Sequence, residues 1–191
     1  LVCLAAVRLE RPVRWTETRG EHLVAADQAR EQHHRARVAA RNDGRLLAIE
    51  TQFWLDQGAY PRPATRHLAD LTATLVPGPY RLDAYRGRGR IMLTNKTPAG
   101  FFRGAGRTEA TFVRERLVDA LAATLGQDPL DLRLKNLVEP NEMPFDRQLS
   151  LGHRKVVYEA GDYPLLIDKA RRRFSLDLLQ RRIADRREQG E

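Results

Sequence analysis

The sequence predicts an α+β fold, with strands in the N-terminal half and helices in the C-terminal half. Three observations lead there. His33 to Arg41 alternates, with Val38 and Ala40 set against Arg37, Ala39 and Arg41, and it runs into Asn42-Asp43-Gly44, the Asx-Gly signal of a tight hairpin. Phe112, Val113, Leu117, Leu121 and Leu125 recur at helical spacing and meet Gly126, a natural helix stop. Strand-like runs precede helix-like ones along the chain, which is the pattern of segregated layers.

In order, Leu1, Leu4, Ala5 and Leu9 share one helical face, and Pro12 should stop that helix. The abrupt apolar start without an initiator Met reads as the tail of a helix whose beginning is missing. Pro12 to Thr18 reads as a strand carrying Val13 and Trp15 on one face. Arg45 to Leu55 is the return strand of the hairpin, through Leu47, Ile49 and Phe53. Gly58 to Arg66, with Pro61 and Pro63, is a loop, and Leu68 to Leu75 a short helix before the hard break at Pro77-Gly78-Pro79. Tyr85 to Thr94 alternates Arg with smaller residues and should be a strand, weakened by Gly87 and Gly89. Asn95 to Arg107 holds Pro98, Gly100, Gly104 and Gly106 and must be loop. Thr108 is the expected N-cap of the long helix, with Glu109 in its first turn. Asp128 caps a shorter helix from Pro129 to Leu137. A Pro-containing loop comes next, then helices over Tyr163 to Phe174 and Leu176 to Gln189, the last so rich in Arg that its outer face is wet.

Composition narrows the function classes. A charged fraction of 30% beside 42% hydrophobic residues belongs to a globular chain, not a disordered one. The 33 Lys and Arg against 25 Asp and Glu give a net charge of +8, which points towards an anionic partner or cofactor. That excess concentrates between Ala84 and Thr108, where Arg86, Arg88, Arg90, Lys96, Arg103 and Arg107 meet no acid. Cys3, alone on an apolar helix face, reads as a small buried hydrophobe and excludes an internal disulfide or a Cys-based metal cluster. No run approaches a membrane span and the apolar start makes a poor signal peptide, so the expectation is a cytoplasmic chain.

The segment most able to carry chemistry is Thr97-Pro-Ala-Gly-Phe-Phe-Arg-Gly-Ala-Gly-Arg107, a strand-to-helix loop with two glycines between two arginines. Glycine lets backbone approach a ligand closely, and a helix start offers amide donors and the positive end of its dipole. Arg103 and Arg107 add charge-assisted donors. These features fit a site for a small anion or oxo group; the glycines shaping a plain connection is the alternative reading. The spacing is not that of a phosphate-binding GxxxxGK[ST] loop.

The run TNKTPAGFFRGAGRTEATFVRERLVDALAATLGQDPLDLRLKNL, Thr94 to Leu137, closely resembles a signature of the molybdenum hydroxylase large subunits, the family of xanthine dehydrogenase, aldehyde oxidase and carbon monoxide dehydrogenase. RPVRWTETRGEHLVAA, ADLTATLVPGPY and YEAGDYPLLIDKA are similar to flanking family segments, so the likeness covers roughly Leu1 to Phe174. The resemblance implies an internal piece of the first molybdopterin-binding domain over 1–174, followed by a basic C-terminal helix over 175–191. It implies a molybdenum–molybdopterin cofactor, in its cytosine dinucleotide form, contacted by Arg103, Gly104, Gly106 and Arg107, with Arg103 near molybdenum through its backbone. Ala105 and Phe102 would face the substrate. Partners would be the remainder of the molybdenum subunit, an iron–sulfur small subunit carrying [2Fe-2S] and a medium subunit carrying FAD.

Departures from the family pattern restrict the chemistry. Gly104 stands where copper-bridged carbon monoxide dehydrogenases carry cysteine, which disfavours that reaction. Ala105 replaces the aromatic of purine oxidisers, and Leu71 replaces an arginine that binds xanthine. Phe101-Phe102 replaces Ala-Tyr. The family's upstream glycine-rich segment, metal-side glutamine and general-base glutamate have no counterpart here, so no catalytic residue is assigned and the isolated chain is expected to be inactive. His22, His33, His34, His67 and His153 lack ligand spacing. Trp15 and Trp54 read as core or interface aromatics. Two rival functions remain: a scaffold subunit that binds no cofactor, and, less favoured, a basic nucleic-acid module built on the RGRGR run at Arg86 to Arg90.

Overall fold

The Asn42-Asp43-Gly44 signal folds as expected: the Gly44 amide donates to the Arg41 carbonyl at 2.9 Å, and the Arg45 amide donates to the Asp43 carboxylate at 3.0 Å. In this computed structural model, which describes residues 1–62 and 65–190, the turn joins β1 (Gln32–Ala40) to β2 (Leu46–Asp56) in an antiparallel pair. Pro63 and Glu191, assigned by sequence to the loop and the tail, lie outside the described residues. The chain leaves β2, forms α3 (Leu68–Leu75) after α1 (Val2–Leu9) and α2 (Arg19–Ala25), and returns as β3 (Ala84–Met92), parallel to β2. The sheet order is therefore β1-β2-β3.

β2 is central and supplies the core. Leu46, Ile49, Phe53 and Leu55 are all buried, against α3 and the long helix α4 (Arg107–Leu125). A register shift opposite Ala39 and Ala40 leaves Leu47 as an extra residue and turns Leu46 inward where sequence alternation selects Leu47, because one extra residue reverses the alternation across it. The face of α4 is also rotated from expectation. Ala110, Val113, Arg114, Val118 and Ala122 are buried, whereas Phe112 is 68% exposed, because adjacent helical residues point about 100° apart. Arg114 is tolerated inside because it donates to the Leu75 carbonyl at 3.2 Å and pairs with Glu115 at 2.7 Å. α5 (Pro129–Asn136) takes its cap from Asp128 as expected. Its last residue, buried Asn136, ties the hairpin down by bonding the Leu46 amide at 2.8 Å and the Gly44 carbonyl at 3.0 Å.

Other expectations fail for identifiable reasons. Residues 12–18 form no strand, and Trp15 is 62% exposed. Thr18 and Glu21 instead form a capping box that starts α2, a Thr-x-x-Glu signal present in the sequence. Cys3 is exposed, since α1 buries no residue. The segment read as a Pro-containing loop holds a second hairpin, β4 (Phe145–Leu151) with β5 (Arg154–Tyr158). Arg147 disguises its alternation. That residue points inward, stacks over Phe145 and donates to the Tyr80 carbonyl. The helices α6 (Tyr163–Arg173) and α7 (Leu176–Glu188) close the described chain, and α7 buries nothing.

Beneath the sheet runs a polar chain whose protonation is legible. His34 stacks on Phe53 at 4.8 Å between ring centres, contacts Thr51 Oγ1 at 3.2 Å and Gln32 Oε1 at 3.0 Å, while Gln32 donates to Thr72 at 3.0 Å. Gln32 therefore presents its oxygen to His34, whose Nε2–H donates, leaving Nδ1 to accept from the Thr51 hydroxyl. Burial, then the charge of His33, hold the His34 pKa below its usual 6.5. The unfolded chain thus takes up this proton first as pH falls, so the stability from neutral His34 is full above pH 6.5 and declines as pH drops through the folded value. Urea unfolding should give a midpoint that falls between neutral and mildly acidic pH, and His34→Gln should flatten that decline. An equal decline in the variant would show that His34 is not responsible.

Candidate functional site

The Thr97–Arg107 loop crosses from the end of the sheet to the start of α4 and is held at both ends. The Ala99 amide donates to the Gln57 carbonyl at 3.0 Å, and the Gly100 amide to the Gln28 carbonyl at 2.7 Å. At the far end, α4 begins two residues earlier than expected, at Arg107, with Gly106 rather than Thr108 as its N-cap. The Arg107 and Thr108 amides turn back onto the Gly104 carbonyl at 2.9 and 3.4 Å, so those two donors are spent within the loop. The expectation that the first turn presents a row of free amides is corrected accordingly.

The two glycines differ in what requires them. Both sit at positive φ, +82° at Gly104 and +73° at Gly106, where an L side chain is strained. A Cβ on Gly106 would stand 2.7 Å from Leu71 Cβ and 2.8 Å from the Thr72 amide nitrogen, so the fold itself excludes a side chain there. A Cβ on Gly104 would meet only Thr108 Oγ1, at 3.6 Å. That is an ordinary van der Waals contact, so packing does not exclude a side chain at Gly104.

The remaining sequence-chosen residues fall on two sides of the loop. Arg103 and Arg107 are exposed, and neither side chain makes a hydrogen bond or ion pair among the described residues. Phe102 and Ala105 line a cavity of about 530 Å³ together with Arg30, Gly100, Leu55 and Glu109. Ala105 also packs on the cluster of Phe53, Leu55, Leu68 and Ala69, so it is as much core as pocket wall. Leu71 lies against Gly106, where a Cβ would stand 2.7 Å from its own.

Sequence reasoning misses Arg30 and reads Glu109 only as a first-turn charge. The Arg30 guanidinium lies over the Phe102 ring at 4.6 Å, donates to the Arg103 carbonyl at 2.9 Å, and faces Glu109 at 3.7 Å. Its Nη1 and Glu109 Oε2 are buried without a hydrogen-bond partner, and the Glu109 side chain is only 9% exposed. Arg30 also holds φ at +79°, uncommon for a side chain of its size. Nothing in the local sequence marks it, since its partner Arg103 lies 73 residues away along the chain. The loop is thus clamped from below, with two arginines and Gly104 left on its outer side.

A sequence profile described as the molybdopterin cofactor-binding domain matches residues 1–137. Among relatives, the gamma subunit of the 6-hydroxypseudooxynicotine dehydrogenase complex of Paenarthrobacter nicotinovorans is 37% identical over 158 residues, covering 83% of this chain and 20% of that protein. The nicotine 6-hydroxylase large subunit of the same organism is 34% identical over 193 residues, covering 100% of this chain and 23% of that protein. Among solved structures, quinoline 2-oxidoreductase from Pseudomonas putida 86 superposes with a TM-score of 0.87 at 32% identity, over 99% of this chain and 24% of that one. The chain spans about a fifth to a quarter of the length of these proteins. By profile, identity and fold alike, the chain belongs to the molybdopterin cofactor-binding domain family of the molybdenum hydroxylase large subunits.

Proposed function

We propose that this chain is the part of a molybdenum-dependent oxidoreductase subunit that cradles one side of the cofactor, in an enzyme that hydroxylates an aldehyde, an N-heterocycle or a similar small substrate with water as the oxygen source. The observation that carries this reading is the outer side of the loop: Arg103 and Arg107, unpaired and exposed, flank a Gly104 at which a side chain would meet only Thr108 Oγ1, at an ordinary 3.6 Å. Gly106, by contrast, is accounted for by packing against α3. When bound, the molybdenum centre supplies the two-electron oxidant for oxygen transfer to carbon.

This chain's own contribution is binding and orientation. Arg103 and Arg107 present charge-assisted donors to phosphate or oxo oxygens, and the Arg103 backbone lies near the metal. The Arg30 bond to the Arg103 carbonyl fixes that stretch of backbone. Phe102 and Ala105 form the apolar wall on the substrate side, with Ala105 leaving room that a larger residue would close. The cofactor form is molybdopterin cytosine dinucleotide, and electrons leave through [2Fe-2S] and FAD centres on an iron–sulfur small subunit and a medium subunit. The relatives named as a complex subunit and a large subunit support such an assembly.

The chain alone should not turn over substrate, because the family's glycine-rich segment and general base have no counterpart in it. Assays of the purified chain with aldehydes and N-heterocycles and an artificial electron acceptor should give no product. Turnover with stoichiometric molybdenum bound would contradict this.

The glycines separate cofactor contact from folding. In a full-length relative, or an enzyme assembled with the missing segments, Gly104→Asn keeps a residue that tolerates left-handed backbone, yet places a side chain on the outer side. It should leave the melting temperature close to that of the parent and remove most of the molybdenum. Gly106→Ala should instead lower stability first, by about 1–2 kcal/mol from backbone strain alone, with the Leu71 clash added. Normal molybdenum content and activity in Gly104→Asn would remove the loop from the cofactor.

A further inference from the structure

We infer that the open edge of β3 is a docking site for an extended segment of a protein partner in which acidic and apolar residues alternate, added as a fourth strand beside Arg88–Met92. β3 pairs with β2 on one side only, and among the described residues no strand covers its other side. The β4–β5 hairpin lies against the start of β3, near Ala84 and Tyr85, but every residue from Arg88 to Leu93 is exposed. An uncovered strand edge offers a row of unpaired amide and carbonyl groups, and proteins normally blunt such edges with proline, charged side chains or a covering element. Here the charge is all of one sign, Arg86, Arg88 and Arg90, which repels a basic strand and admits an acidic one. Ile91 is 44% exposed, Met92 47% and Leu93 60%.

Side chains two residues apart share one face of a strand, so the edge has two different sides. One side carries Arg86, Arg88 and Arg90, which register across β2 from Glu50, Gln52 and Trp54, and those in turn from Arg37, Arg35 and His33 on β1. Five arginines on this sheet face therefore share one carboxylate, Glu50, which already lies 3.6 Å from both Arg37 and Arg86. Arg88 and Arg90 have no ion-pair partner among the described residues. The other side presents Gly89, Ile91 and Leu93, small and apolar.

The two sides dictate the occupant. A strand added here would set alternate residues beside arginine and the intervening ones beside Ile91 and Leu93, so alternating Glu and Val-like residues satisfy charge, burial and ladder hydrogen bonds together. Nucleic acid fits less well. The Trp54 ring already carries the Arg35 guanidinium at 5.5 Å, and His33 is the one other ring among this face's strand residues, too few for a run of stacked bases. The β1 edge offers no comparable site, since its outward residues His33, Arg35 and Arg37 are all polar and no large apolar side chain accompanies them.

The probe is the synthetic peptide acetyl-Val-Glu-Val-Glu-Val-Glu-Val-amide, offered to the folded chain beside a peptide with Lys in place of Glu and a short single-stranded DNA. Hydrogen exchange should show new protection at the outward-facing amides of Gly89 and Ile91 with the Glu peptide alone, weakening as salt is raised. The exposed double variant R88A/R90A should melt like the parent and bind the peptide about fivefold more weakly, the scale of two exposed ion pairs. The inference is overturned by any of these: no protection along β3, equal binding of the Lys peptide, DNA binding more tightly than the Glu peptide, or unchanged affinity in R88A/R90A.

Discussion

The close approach of Gly106 to α3 is the constraint around which the site is arranged. Because no Cβ intervenes, the start of α4 sits directly on Leu71 and Thr72. Thr72 is buried and accepts a hydrogen bond from Gln32, which is bonded in turn to His34, and His34 to Thr51. One contact without a side chain thus links the loop, the crossover helix and two strands into a single polar and steric chain. The loop's position depends on the sheet's register, and the sheet's register on the Asn42-Asp43-Gly44 turn and the Asn136 clamp on it.

A rigid base leaves the outer surface of the loop free for a ligand. Arg30 takes the carbonyl of Arg103 and the ring of Phe102 from beneath, and Glu109 closes the other side. What remains on the outer side is exposed charge met only by solvent, beside a glycine at which a side chain would meet little of the chain. The relatives that share this fold are four to five times as long as this chain.

Much of this fold is legible in the sequence, and the exceptions share a cause. The hairpin, α3, β3, α4 and α5 are readable because local signals agree with tertiary context there: Asx-Gly, Asp128 with Pro129, and helical periodicity ended by Gly126. Where local and global signals conflict, the reading fails. Alternation favours Leu47 over Leu46 because a bulge cannot be seen in an alternating pattern, and the β4–β5 hairpin is hidden by Arg147, a charged residue in an inward position. The site divides similarly. The glycines and arginines of the loop are visible as a pattern, but only three-dimensional packing distinguishes Gly106, required by α3, from Gly104, where a side chain would meet only Thr108. Arg30 cannot be found from sequence, because its partner Arg103 lies 73 residues away and its left-handed backbone leaves no mark in the residue type.

The central claim is that this loop carries backbone against a molybdenum cofactor. It is tested most directly by locating the metal through anomalous X-ray scattering at the molybdenum edge, in crystals of an enzyme containing this chain or its counterpart in a full-length relative. The account predicts a molybdenum peak on the outer side of the loop, within contact distance of the cofactor atoms that touch the Arg103 and Gly104 backbone. A peak on the far side of the sheet, or one with no part of its cofactor touching residues 103–107, would contradict it.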